Sequence, residues 1–133
     1  SAAAIVAALA VPELDWRLCF QSRVGPLAWL EPATDEEIRR AGRDRVPLVV
    51  APISFVSEHS ETLVELDRDY RRLAEESGVP SYRRVPAVGA APAFIAALAC
   101  LVRHAAAHDG VGPGESARIC GPAHAKCALA GAG

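Results

Sequence analysis

Six side chains able to take up a proton or a cation crowd into residues 58–69, namely Glu58, His59, Glu61, Glu65, Asp67 and Asp69. If the segment is helical, each residue advances the side chain by about 100°, so with Glu61 at zero Glu65 and Asp69 fall at about 40° and 80° and Glu58 at about 60°. Four carboxylates then share one narrow stripe. Like charges at i,i+4 oppose a helix by a few tenths of a kcal/mol per pair. Glu61–Glu65 and Glu65–Asp69 are both such pairs, and a cation moving along the stripe would relieve them. The competing reading is a solvated, salt-bridged face, since Arg68 follows Glu65 by three residues and Arg72 follows Asp69 by three. Glu61 has only Val64 and Glu65 at those offsets, so that reading explains it least.

The elements that must place these groups lie on either side. Pro47 to Ile53 is an apolar run with β-branched Val49, Val50 and Ile53, which reads as a buried strand of a parallel sheet. Ser57 is positioned to cap the following helix, and Glu58 suits the positive end of its dipole. Sites in open α/β sheets gather at the carboxyl ends of strands, which is where Glu58, His59 and Glu61 stand. Leu63, Leu66, Tyr70 and Leu73 form a separate face for packing on the sheet.

Composition sets the bounds. With 133 residues, 51% hydrophobic and 23% charged, the chain is one folded domain's worth. A net charge of −2 supplies no basic footprint for nucleic acid. The longest apolar run, Ala2 to Val11, is too short to span a bilayer and lacks the basic lead of a signal peptide. Four irregularly spaced cysteines fit a reducing compartment better than a disulfide framework, so the cytoplasm is expected. An Ala-rich helix starting at the first residue without a cap reads as the middle of a longer element, as in a fragment.

In chain order, residues 2–10 read as a helix ended by Pro12, and Trp16–Gln21 as a strand. Thr34 and Glu37 form a capping box for a helix that Gly42 ends. The acidic helix stops at Gly78 with Pro80 beyond, and Tyr82–Val85 is a short strand. Pro92 opens a last helix to about Ala107, with Phe94, Ile95, Leu98, Leu101 and Val102 as its apolar face. The expected fold is α/β, three-layered, with a mostly parallel sheet of three to four strands flanked by helices. It spans residues 1–108, followed by a Gly/Ala/Pro-rich tail, 109–133.

Phe20-Gln21-Ser22-Arg23 with Gly25, Trp29-Leu30, Pro32 and Thr34-Asp35 resembles the C-terminal half of the ferrochelatases. So does Pro52-x-x-Phe55-x-Ser57-Glu58-His59-x-Glu61-Thr62-Leu63-x-Glu65-x-Asp67, followed by Tyr82-Arg83-Arg84-Val85-Pro86 and Pro92-x-Phe94. The resemblance implies a lyase of haem biosynthesis that inserts Fe²⁺ into protoporphyrin IX or a related porphyrin. It implies Glu61, His59 and Glu58 as catalytic residues, and Glu61, Glu65 and Asp69 as a metal route along a π-distorted helix. Trp29 and Arg23 would contact the porphyrin. Ser60 departs from the aliphatic residue usual in the family. In that family two similar halves enclose the porphyrin, and the first carries an essential histidine. No histidine precedes residue 59 here, and the others are His104, His108 and His124. The chain is therefore expected to be inactive without an N-terminal half.

Some ferrochelatases carry a [2Fe–2S] cluster, and the resemblance makes Cys120 and Cys127 its possible ligands. Cys19 and Cys100 sit in apolar settings, as packed thiols do. Expected partners are the porphyrin and either the missing half or a second copy of the chain, with a possible peripheral membrane contact. Two alternatives stand beside this reading: a single-domain homodimeric chelatase for cobalt or iron and a tetrapyrrole, and a non-catalytic remnant of the fold.

Overall fold

A computed structural model describes residues 1–22 and 25–107. The chain divides into two units, Ser1–Gly89 and Ala90–Gly133. The first contains α1 (Ala2–Leu9), α2 (Thr34–Asp44), β1 (Leu48–Val50), a π-helix (Glu61–Asp69) running into α3 (Tyr70–Glu76), and β2 (Tyr82–Arg84). In the second, α4 (Pro92–Ala106) starts with Pro92 in its first turn, where a missing N–H costs nothing. Ile95, Leu98, Leu101 and Val102 of its apolar face are exposed. Among the described residues, no helix is long and apolar enough to cross a membrane.

The first unit is α/β with a parallel sheet. Strand β1 pairs with β2 in the register Leu48–Tyr82, Val49–Arg83 and Val50–Arg84, and the π-helix with α3 forms the crossover. The described sheet has two strands, not three or four. The missing one is Trp16–Gln21, which forms only a single parallel bridge, between Phe20 and Ala33. Its backbone groups are used on the segment leading into α2. The Phe20 N–H donates to Pro32 C=O and the Thr34 N–H to Phe20 C=O, both at 2.9 Å.

Ile38 and Ala41 of α2 meet Ala74 of α3, Val79 and Tyr82 in a small core, with Val46, Leu48, Val50, Tyr70 and Leu73 packed around it. Burying a side chain the size of Ile38 contributes about 1.5–3 kcal/mol. Leu66 is 1% exposed and anchors the π-helix, whereas Leu63, expected on the same face, is exposed. Tyr82 carries its hydroxyl into this region and donates to Leu66 C=O at 2.8 Å, which satisfies a buried polar tip.

Both ends of α2 differ from expectation. Residue Ala33, not Thr34, precedes α2, and the Glu36 carboxylate accepts the Ala33 N–H at 3.3 Å. Thr34 is instead buried, with its hydroxyl donating to Cys19 Sγ at 3.4 Å. Gly42 does not end α2 but lies inside it, and Arg45 makes the closing left-handed turn (φ 52°). Glycine is needed there because a Cβ would lie 2.1 Å from Ser77 C=O. Gly78 does terminate α3 as expected. It has φ 84°, its N–H donates to Glu75 C=O, and the Val79 N–H reaches Ala74 C=O at 2.9 Å.

Candidate functional site

The acidic helix begins later than its sequence suggests. Ser57 and Glu58 lie in the turn ahead of it, so Ser57 is not the cap. The turn is closed by Thr62, whose buried hydroxyl donates to His59 C=O at 3.1 Å and lies 3.0 Å from the His59 N–H. His59 also precedes the helix, so a helical wheel does not apply to it. Its Nδ1 accepts the Glu61 N–H at 3.3 Å, and its ring leans on Phe55 with centroids 4.7 Å apart. With Nδ1 as acceptor, the neutral imidazole carries its proton on Nε2.

Glu61 to Asp69 then adopt the wide π geometry, marked by an i→i−5 bond from the Tyr70 N–H to Glu65 C=O. Such stretches are rare and recur at functional sites. Here the π-helix carries Glu61, Glu65 and Asp69, each half-buried.

The acids separate by partner. Glu58 accepts two bonds from Arg84 Nη1, at 2.9 and 3.0 Å, and one from the Ala87 N–H at 2.9 Å. Asp67 receives Arg84 Nε at 2.7 Å and Nη2 at 2.6 Å. The Arg84 side chain is only 8% exposed. Hydrogen bonding from Arg84, then Thr62 and the Ala87 N–H, draws the Glu58 carboxyl down to about 2. Arg84 lowers Asp67 in the same way, and the two carboxylates raise Arg84. Asp69 faces Arg72 across 3.7 Å, which is the ordinary ion pair that the sequence spacing allows.

Glu61 and Glu65 are held differently. Ser22 Oγ donates to Glu61 Oε2, and Gln21 Nε2 donates to Glu65 Oε2 at 2.6 Å. Both donors are neutral, and Arg68 does not take Glu65. Ser22 reaches Glu61 from a left-handed backbone (φ 62°), a conformation that costs a non-glycine residue on the order of 1–3 kcal/mol. Trp29 Nε1 donates to Gln21 C=O at 2.9 Å while its ring stays 46% exposed. Gln21 and Ser22 thus join Trp29 to the two carboxylates. Burial, then the negative charge of Glu65, pushes the neighbouring Tyr70 phenol up to about 12.

Chemically, two carboxylates that meet neutral donors and no arginine among the described residues can be taken by a divalent cation without displacing one. Among the described residues, no three His, Cys, Asp or Glu side chains converge to hold a metal. Glu61, Glu65 and Asp69 are a ladder, not a cage. A shallow recess of about 410 Å³ lies elsewhere, lined by Arg71, Ser81, Tyr82, Arg83 and Arg84.

Of the residues the sequence singles out, Glu61, Glu65 and Trp29 are joined through Gln21 and Ser22, whereas Glu58 is bonded to Arg84. Arg84, Gln21, Ser22 and Thr62 have no role in the sequence reading, and a polar Gln-Ser pair at the end of an apolar run is the available signal for two of them. Arg23, Cys120 and Cys127 lie outside the described residues. Of the remaining thiols, Cys19 accepts a bond from Thr34, and Cys100 lies exposed in the other unit. These two do not fit an iron–sulfur cluster.

The family model for ferrochelatase matches residues 1–106. The chain belongs to the ferrochelatase family. The ferrochelatase of Phenylobacterium zucineum (strain HLK1) is 52% identical over 133 residues, covering 100% of this chain and 38% of the relative. The ferrochelatase of Caulobacter vibrioides (strain NA1000 / CB15N) is 54% identical over 121 residues, 90% of this chain and 33% of the relative. That of Wolbachia pipientis wMel is 53% identical over 97 residues, 73% of this chain and 30% of the relative. The chain thus spans about a third of the length of the curated ferrochelatases it matches.

Proposed function

We propose that this chain is the metal-handling part of a ferrochelatase and inserts Fe²⁺ into protoporphyrin IX, or a related porphyrin, only when combined with an N-terminal half. The observation that carries the reading is that Glu61 and Glu65 have neutral partners among the described residues, Ser22 and Gln21, with Gln21 also bonded by Trp29.

A porphyrin must lose two pyrrole protons while Fe²⁺ sheds its water. Asp69, Glu65 and Glu61 offer the ion successive oxygen ligands, which bind such a metal loosely enough to release it. Glu61, at the head of the ladder, is the proton acceptor for the macrocycle face. Trp29 supplies an apolar wall for the flat ring, and Arg23 is a further porphyrin contact. His59 positions Glu61 by holding its backbone N–H. Glu58 keeps its place in the proposal as the anchor of the turn, its carboxylate committed to Arg84. Its free thiols, Cys19 and Cys100, suit a reducing cytoplasm.

The test is haem formation from Fe²⁺ and protoporphyrin IX, by the chain alone and joined to the N-terminal part of the Phenylobacterium zucineum relative. The chain alone should not exceed the uncatalysed rate, and the joined protein should turn over. Glu61→Gln in the joined protein should lower turnover by about 10²–10⁴-fold, the range for loss of a positioned base. Full turnover by E61Q, or by the chain alone, would overturn the proposal.

A further inference from the structure

The outer side of β2 carries donors that the acid ladder does not use. The Leu48 N–H donates to Ser81 C=O at 2.8 Å, and the Val85 N–H donates to Val50 C=O at 2.9 Å. Residues 81, 83 and 85 therefore turn their backbone groups to β1, and those of Tyr82 and Arg84 face away from it. Of the outward groups, Tyr82 C=O accepts Arg71 Nη1 at 3.1 Å. The Tyr82 and Arg84 N–H groups donate to no described residue.

Positive charge gathers around them. The recess of about 410 Å³ described above is lined by Arg71, Ser81, Tyr82, Arg83 and Arg84, with no acid among them. Arg84 is committed to Glu58 and Asp67, whereas Arg71 and Arg83 make no ion pair with a described acid. Asp67, one helical turn before Arg71, spends its carboxylate on Arg84. Arg71 is nonetheless held in place. Its Nε donates to Asp67 C=O at 3.1 Å, its Nη1 to Tyr82 C=O, and its guanidinium lies 5.4 Å from the Tyr82 ring centroid. Two backbone acceptors and a ring fix its plane and leave Nη2 unspent. An arginine already fixed loses little freedom on taking an anion.

We infer that this recess binds a phosphomonoester. A planar, fixed guanidinium and outward backbone N–H groups are the donors that tetrahedral oxyanions take. Two arginines without acid partners match the charge of a phosphoryl dianion. The volume leaves room for the phosphoryl group and the part that carries it. Beyond the Tyr82 ring the lining offers little to an apolar ligand. A soluble phosphomonoester and a lipid headgroup ending in one share this chemistry, and the arms of the experiment tell them apart.

The experiment titrates the isotope-labelled 133-residue chain with glycerol phosphate at constant ionic strength and follows the Tyr82 and Arg84 amide resonances. Both should shift saturably, and binding should tighten as the pH rises through about 6, where the ligand becomes a dianion. Glycerol and acetate should leave them in place. Arg71→Gln and Arg83→Gln should each weaken binding about tenfold or more, the worth of a charge-assisted hydrogen bond. Arg39→Gln, a change on α2, should not. An unmoved Leu48 amide reports an intact β1–β2 pair in each variant. Should R71Q disturb it, R83Q decides, because that side chain is exposed and unpaired among the described residues. Shifts that never saturate, an equal loss in R39Q, or full binding by R83Q would overturn the site. Co-sedimentation with phosphatidylcholine vesicles, with and without phosphatidic acid, identifies the source. Pelleting that needs phosphatidic acid and is lost in R83Q supports a lipid headgroup, whereas saturable glycerol phosphate binding without pelleting supports a soluble ligand. The titration is repeated on the chain joined to the N-terminal part of the Phenylobacterium zucineum relative, where loss of binding would overturn the site. Haem formation by the joined protein is a separate readout, so failure of the site leaves the proposed function standing.

Discussion

At the scale of residues, the acids of the Glu58–Asp69 segment do two jobs, and their partners separate them. Glu58 and Asp67 close on Arg84, tying the turn and the π-helix to β2. Among the described residues, Glu61 and Glu65 meet only neutral donors. The Arg84 clasp predicts acid sensitivity. Glu58 is lowered from its ordinary 4.5 to about 2, so its stabilisation is complete above pH 4.5 and is lost as the pH falls towards 2. Asp67, also lowered, adds in the same direction. Arg84→Ala should return both carboxyls towards ordinary values in a ¹³C-detected titration and move acid unfolding to higher pH. An unchanged Glu58 titration would refute the clasp. None of this pairing is legible in the sequence, because 26 residues separate Glu58 from Arg84. The sequence shows the acid stripe but not which acids have a cation waiting across the fold.

At the scale of elements, strong local chemistry reads well and close approaches read poorly. Pro92 and Gly78 do what their backbone preferences dictate. Gly42 has the same outward signature as a terminator, yet serves the contact of α2 with Ser77. Gly42→Ala should destabilise the chain by roughly 1–3 kcal/mol, the usual cost of overpacking. Ordinary helix propensity would instead gain about 0.5–1 kcal/mol from the same change. Urea unfolding decides between the two signs. The strand expected at Trp16–Gln21 has the right composition, but a strand needs a neighbour, and composition does not supply one.

At the scale of the whole molecule, apolar side chains stand exposed in each unit, Leu27, Leu30 and Val49 in the first and Leu101 and Val102 in the second. The isolated chain should bind the dye ANS, and the signal should fall when the rest of a ferrochelatase-length protein is added; absence of dye binding would contradict the exposed surface. The α/β class and parallel pairing are legible in the residues, whereas the strand count is not, because Trp16–Gln21 gives its Phe20 groups to the segment before α2. The π-helix carries one more consequence. Removing a single residue between Glu61 and Leu66 would leave Leu66 and Tyr70 seated while swinging Glu61 by about 100°, out of reach of Ser22. Along this stretch the spacing of the chain matters as much as its chemistry, and a one-residue gap would part Glu61 from Ser22 more surely than many substitutions.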